Sequence, residues 1–133
     1  MNAGQRPQIV FEDSHLLVIN KPAGLLTQGD QSGDENLVDW LRIYLGRPYV
    51  GLVHRLDRNT SGLLVVAKRS KSAQRLTESL KKRDLKREYV AILSGEVQKP
   101  ETWKNWIIKK GSKNRKRSSV TLKLFIAFKI SSS

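Results

Sequence analysis

One segment of this sequence concentrates groups able to do chemistry: His54-Arg55-Leu56-Asp57-Arg58-Asn59-Thr60-Ser61-Gly62. It holds a single carboxylate, Asp57, between Arg55 and Arg58, with His54 close by. Opposite charges nearby favour an ionised carboxylate, which suits Asp57 to act as a base or nucleophile rather than an acid. Asn59, Thr60 and Ser61 add an amide and two hydroxyls, and Gly62 a flexible turn. The same residues also suit a polar hairpin loop with a surface ion pair, because charge networks are often only structural.

Competing chemistries lack their residues. There is no cysteine, which excludes thiol nucleophiles, thiolate zinc sites and disulfides. His15 and His54 lie 39 positions apart, a poor spacing for a metal pair. Neither GxxxxGK[ST] nor GxGxxG occurs, so no phosphate-cradling loop of those types is expected. Ser61 lacks the GxSxG setting of a nucleophile elbow. A lone carboxylate in a basic setting fits attack on a nucleic-acid substrate better than metal-dependent hydrolysis.

Overall charge points the same way. The chain has 133 residues, 25 Lys and Arg against 12 Asp and Glu, and a net charge of +13. Such an excess calls for a polyanionic partner, most commonly nucleic acid. Residues 1–98 carry +4 and residues 99–133 carry +9, so a short basic segment holds most of it. Lys109, Lys110, Lys113, Arg115, Lys116 and Arg117 are candidate phosphate contacts, helped by the interleaved Gly111, Ser112, Asn114 and Ser118. A solvated basic loop would look the same. No apolar run exceeds the five residues of Leu63 to Ala67, against roughly 20 for a bilayer-spanning helix. The N-terminal MNAGQRPQ has no apolar stretch of a secretory signal. No membrane association and a cytoplasmic location are therefore expected.

The elements that must position Asp57 follow from periodicity and punctuation. Ile9–Phe11 and Leu16–Asn20 read as strands around a tight turn at Glu12-Asp13-Ser14. Lys21-Pro22-Ala23-Gly24 breaks the chain, and residues 28–36 form a polar loop. Asn36 caps a predicted helix to about Leu45, with Leu37, Trp40, Leu41, Tyr44 and Leu45 on one stripe and Gly46 and Pro48 ending it. Val50–Val53 and Leu63–Ala67 read as two strands, joined by the Asp57 loop. Ser70 or Ser72 caps a second helix on which Ala73, Leu76 and Leu80 recur. Lys86–Leu93 alternates, and so does Val120–Ile130, as strands do. One α+β domain over residues 1–133 is expected, with a mixed, largely antiparallel sheet and flanking helices.

VHRLDRNTSGLLVVAK, Val53 to Lys68, closely resembles the signature of the RluA-type pseudouridine synthases. FEDSHLLVINKPAGLLTQ (Phe11 to Gln28) and KREYVAILSGEV (Lys86 to Val97) resemble that family's flanking blocks, in the same order. The resemblance spans roughly residues 9–97. It implies part of a pseudouridine synthase catalytic fold, using neither cofactor nor metal. Asp57 matches the family's aspartate nucleophile, which acts at a uridine so that the base detaches, turns and rejoins through C5 instead of N1. Tyr89 matches the tyrosine that packs against the target base. Arg55 matches an arginine that helps hold the flipped-out nucleotide, extruded because stacking hides the reacting carbon. His54, Arg58, Thr60 and Ser61, in the same loop, are expected to contact RNA or fix the loop. The NKPAG block, Asn20 to Gly24, is expected to be mainly structural.

The family's later block, similar to TGRxHQIR, supplies a basic residue that pairs with the aspartate. Nothing between Gln98 and Ser133 matches it, and the S4 RNA-binding domain of some relatives has no counterpart. An apparently incomplete catalytic domain is therefore expected, marginally stable and weakly active. The leading expectation is an isomerase that converts uridine to pseudouridine in structured RNA, either rRNA or tRNA. The alternatives are a truncated, catalytically inactive RNA-binding relative and a ribosome-associated basic protein whose loop is only structural.

Overall fold

A computed structural model describes residues 6–92, 99, 101–108 and 115–122. The chain divides into two compact units, Met1–Glu88 and Tyr89–Ser133.

The first unit is built on a four-stranded sheet. Strand β1, Gln8–Glu12, pairs antiparallel with β2, Leu16–Lys21, through a register irregularity between Ile9 and Phe11. Asp13 closes their turn: its Oδ1 accepts from the His15 and Leu16 amides at 2.7 and 2.6 Å. Such a local carboxylate bond is why Asp favours turns. Helix α1, Leu37–Leu45, and the short β3, Gly51–Leu52, precede β4, Gly62–Ala67. The sheet order is β1-β2-β4-β3, and every strand pairing in it is antiparallel. Helix α2, Ser70–Lys81, follows β4. The expected α+β class and largely antiparallel sheet hold.

Alternation sets the core. On β2 the side chains of Leu17, Ile19 and Lys21 are buried, and on β4 those of Leu64 and Val66. The register sets Leu17 opposite Val66 and Ile19 opposite Leu64. Leu25, Leu37, Leu41 and Leu56 complete the cluster. At about 1.5–3 kcal/mol for each large aliphatic side chain buried, this cluster dominates the unit's cohesion. Gly51 permits the close approach of β3, because a Cβ there would lie 2.6 Å from the Ala67 carbonyl oxygen.

Helix α1 begins as its sequence predicts. Asn36 Oδ1 accepts from the Asp39 amide at 3.0 Å, and Gly46 ends the helix. Two more first-turn amides are satisfied from outside: Leu37 donates to the Leu26 carbonyl and Val38 to the Thr27 carbonyl. Trp40 and Tyr44 stack with ring centres 5.4 Å apart, and the Tyr44 hydroxyl donates to Glu12.

Several expectations fail. Helix α2 is capped by neither Ser70 nor Ser72; Arg69 stands at its N-cap with no side-chain cap bond. Residues 86–92 form no strand. Alternation marks a chain able to line a sheet, but a ladder partner must supply the hydrogen bonds and the burial. Tyr89, Val90 and Ile92 are 60%, 101% and 90% exposed, so no burial offsets the cost of ordering them. Leu93 lies outside the described residues.

The second unit holds a two-stranded antiparallel sheet of β5, Glu101–Ile108, and β6, Arg115–Leu122. The end of the basic segment Lys109–Arg117, expected as a loop, forms the start of β6, and residues 101–108, for which no strand is expected, form β5. Pairing explains both, since Trp106, Ile107 and Ile108 sit opposite Arg117, Lys116 and Arg115. Of the expected strand Val120–Ile130, Val120–Leu122 belongs to β6 and residues 123–130 lie outside the described residues.

Candidate active site

The Asp57 segment joins β3 to β4, both seated in the core. Along it Arg55 is exposed, Leu56 buried and Asp57 exposed. Leu56 is thus a plug that leaves Asp57 on the solvent side.

Three attachments fix that plug. Thr27, itself buried, donates its hydroxyl to the Leu56 carbonyl at 2.5 Å and accepts from the Leu56 amide at 3.2 Å. One hydroxyl therefore serves both backbone groups of Leu56, much as a neighbouring strand would. One residue beyond Asp57, the Arg58 carbonyl accepts from the Gly24 amide at 2.7 Å. Gly24 reaches it with φ of 92°, a conformation that glycine adopts without steric cost. The same carbonyl accepts from Lys21 Nζ at 3.1 Å.

Lys21 is fully buried at the end of the core face of β2. Its ammonium also donates to the Leu25 carbonyl at 2.6 Å and the Pro22 carbonyl at 3.0 Å. Three acceptors match its three donors, as a buried charge requires. Burial pulls its pKa below the usual lysine value, and the negative charge of Asp57 acts in the opposite direction. Lys21 therefore ties the loop down at the residue next to Asp57 and brings a positive charge into its neighbourhood. Asp57 itself is exposed and accepts no side-chain hydrogen bond among the described residues.

The other expected site residues divide by task. Arg58 turns away to Asp34, at 2.8 Å, and to Ser32 at 3.4 Å, which fastens the polar loop of residues 28–36. That hydrogen bond holds the Asp34 carboxyl below the usual range. The Thr60 amide donates to the Asp57 carbonyl at 3.0 Å and closes the turn, and Ser61 is exposed beyond it. His54 Nε2 accepts from the Val65 amide of β4 at 3.1 Å, just past the end of β3. An accepting Nε2 places the ring proton on Nδ1, which is buried without a partner among the described residues. Burial, then the charge of Arg87, depresses the His54 pKa below the usual imidazole value.

Arg55 lines a cleft of about 400 Å³ together with Val53, His54, Thr77, Leu80, Lys81 and Arg87. A larger hollow of about 490 Å³ lies between α1, β3 and residues 28–29 and touches none of residues 54–62. Tyr89 is the first residue of the second unit and is exposed. Lys109, Lys110 and Lys113 lie outside the described residues, whereas Arg115, Lys116 and Arg117 open β6.

Sequence reasoning missed Lys21 and Thr27 as site residues. The signal for Lys21 was present in the alternation Leu17-Ile19-Lys21, which sets it on the core side. Thr27 gave none, because its partner lies 29 positions away.

Comparison with known proteins places these features in context. The family model described as RNA pseudouridylate synthase matches residues 15–126. Ribosomal large subunit pseudouridine synthase C of Buchnera aphidicola is 41% identical over 91 residues, which cover 66% of this chain and 28% of that protein. The Escherichia coli K12 protein of the same name is 39% identical over 93 residues, covering 68% of this chain and 28% of its own. The chain thus spans under a third of the length of these curated relatives. Among solved structures, human RNA Pseudouridylate Synthase Domain Containing 1 superposes with a TM-score of 0.65 at 24% identity, covering 90% of this chain and 52% of the human chain. That likeness concerns the fold.

Proposed function

The chain belongs to the RNA pseudouridylate synthase family, and on that premise we propose that it isomerises uridine to pseudouridine in RNA with Asp57 as the nucleophile. The observation that carries the reading is the placement of Asp57. Its carboxylate is exposed and accepts no side-chain hydrogen bond among the described residues, while the backbone on either side is locked by Thr27, Gly24 and Lys21. A nucleophile needs a free lone pair and a fixed position, and this arrangement supplies both.

The reaction exchanges the glycosidic bond at N1 for one at C5. The C5 hydrogen leaves and N1 gains one, so atoms and oxidation state balance within the substrate. Asp57 acts at the uridine while the base detaches and turns. Lys21 brings a positive charge to the loop's anchoring point, and Arg55, exposed like Asp57, holds the extruded nucleotide. The family resemblance assigns Tyr89 to packing on the base, and Thr60 and Ser61 to the loop's RNA-facing side. The relatives' names point to large-subunit ribosomal RNA as the substrate class, with tRNA the other structured candidate. No helix among the described residues is long and apolar enough to cross a membrane, and a ribosomal RNA substrate favours a cytoplasmic site of action.

Asp57→Asn tests the assignment. The amide keeps the shape and loses the nucleophile, so pseudouridine formation on bulk RNA disappears while RNA affinity stays within a few-fold. Turnover by the variant within about tenfold of the parent overturns the assignment. RNA binding with no turnover by the parent would identify an inactive RNA-binding relative instead.

A further inference from the structure

The cleft beside the Asp57 loop has a one-sided chemistry. The last two turns of α2 bring Thr77, Leu80 and Lys81 against Val53, His54 and Arg55, and Arg87 completes the wall. Three permanent cations, Arg55, Lys81 and Arg87, share this space, and none of the lining residues is a carboxylate. Among the described residues none of the three makes an ion pair or side-chain hydrogen bond, whereas Arg42, Arg58 and Lys68 each meet a carboxylate. His54 gives the cleft a neutral wall pinned to β4 through Val65. Leu80 and Val53 add apolar surface beside the charges.

Position decides what anion would sit there. Arg55 and Asp57 are two residues apart and both exposed, with Leu56 buried between them. Two residues span at most about 7 Å of chain, so the backbone of Arg55, on the cleft wall, lies within that distance of the backbone of Asp57. A strand that presents one nucleotide to Asp57 can lead its neighbouring phosphate past Arg55. Guanidinium groups bind phosphate oxygens in pairs, and Lys81 adds a point charge.

We propose that this cleft binds a phosphodiester group of the RNA strand flanking the target uridine, through Arg55, Lys81 and Arg87. The proposal rests on the reading of the chain as an RNA-modifying enzyme and adds a subsite formed largely by α2 and Arg87. Holding a flanking phosphate fixes the strand while the target base leaves its stack.

The test is binding alone, measured with the full 133-residue chain and a short single-stranded uridine-containing RNA at several ionic strengths. Lys81 and Arg87 are exposed, so the double variant Lys81→Gln/Arg87→Gln keeps the fold, which circular dichroism verifies. Each contact to a single strand contributes about −0.7 to the log–log salt slope, so losing two flattens it by about 1.4 and lowers affinity about 25-fold at ~0.1 M salt. Lys71→Gln/Arg75→Gln, on the same helix but outside the cleft, gives a smaller loss. An unchanged slope in the cleft variant overturns the subsite, as does an equal loss in the control pair. Displacement of the RNA by inorganic phosphate at matched ionic strength would identify a free-anion site and overturn it too. Failure of the parent to bind RNA overturns the underlying reading as well, whereas a parent that binds with an unaffected variant overturns the subsite only.

Discussion

Replacing Thr27 by valine removes one hydroxyl and keeps the side chain's shape. Thr27 is 3% exposed and Leu56 7% exposed, so no water replaces what is lost. The Leu56 amide and carbonyl are both left without the partner that Thr27 Oγ1 provides at 3.2 and 2.5 Å. A buried backbone group without a partner costs about 1–3 kcal/mol, and the added methyl returns part of that, so the expected net loss is about 2–4 kcal/mol. For a unit of this size that lowers the melting temperature by roughly 10–25 °C. Thr27→Ser keeps the hydroxyl and gives up one methyl group, for about 1 kcal/mol. A second effect is catalytic. Leu56 adjoins Asp57, and a displacement near 1 Å costs about a hundredfold in rate, so surviving Thr27→Val protein turns over far more slowly than its stability loss requires. Thermal melts followed by circular dichroism, with pseudouridine assays well below the melting temperature, give both numbers. A valine variant that melts and turns over like the serine variant refutes the idea that this hydroxyl holds the loop.

His54 makes stability depend on pH in a defined direction. Its folded pKa lies below the usual 6.5, so the unfolded state binds the extra proton first, and stability is full above about pH 6.5 and declines as pH falls toward the folded value. Melts of the parent and His54→Asn from pH 5 to 8 check this: the parent's decline starts near 6.5 and the variant's slope there is flatter. Gly51→Ala drives a methyl to 2.6 Å from the Ala67 carbonyl and costs about 1–3 kcal/mol, read as a lower denaturation midpoint. Replacing four of the six basic residues between Lys109 and Arg117 flattens the salt slope of RNA binding by about 3, and titration at three ionic strengths decides between phosphate contact and a solvated basic segment.

What could be read from sequence was what is local. The Asp13 turn, the Asn36 cap and the Gly46 stop each act within a few residues, and each stands where the residue types put it. Strands β2 and β4 were legible as short apolar runs, Leu16–Asn20 and Leu63–Ala67, but a continuous run does not say which face is buried. Asp57 stood out because its neighbours are unusual in type and order. What escaped depends on partners distant in the chain. Lys86–Ile92 has the alternation of a strand without the ladder, and β5 becomes a strand only with β6 beside it. The three carbonyls around Lys21 belong to Pro22, Leu25 and Arg58, and only the fold gathers them.

That gathering has a consequence for synthesis. Lys21 and Arg58 are 37 residues apart. At about 5–20 residues per second, the growing chain takes roughly 2–7 s to make the second after the first. Through that interval the ammonium group has no complete set of acceptors and stays in water, so β2 cannot bury its last residue. The nascent N-terminal hairpin therefore waits, open at one end, for the segment that carries the nucleophile. Once Arg58 and then β4 have been made and β4 pairs with β2, the lysine gains its third acceptor, Leu56 is seated and Asp57 is held in place together. The chain cannot complete its N-terminal sheet and leave the reactive loop unmade.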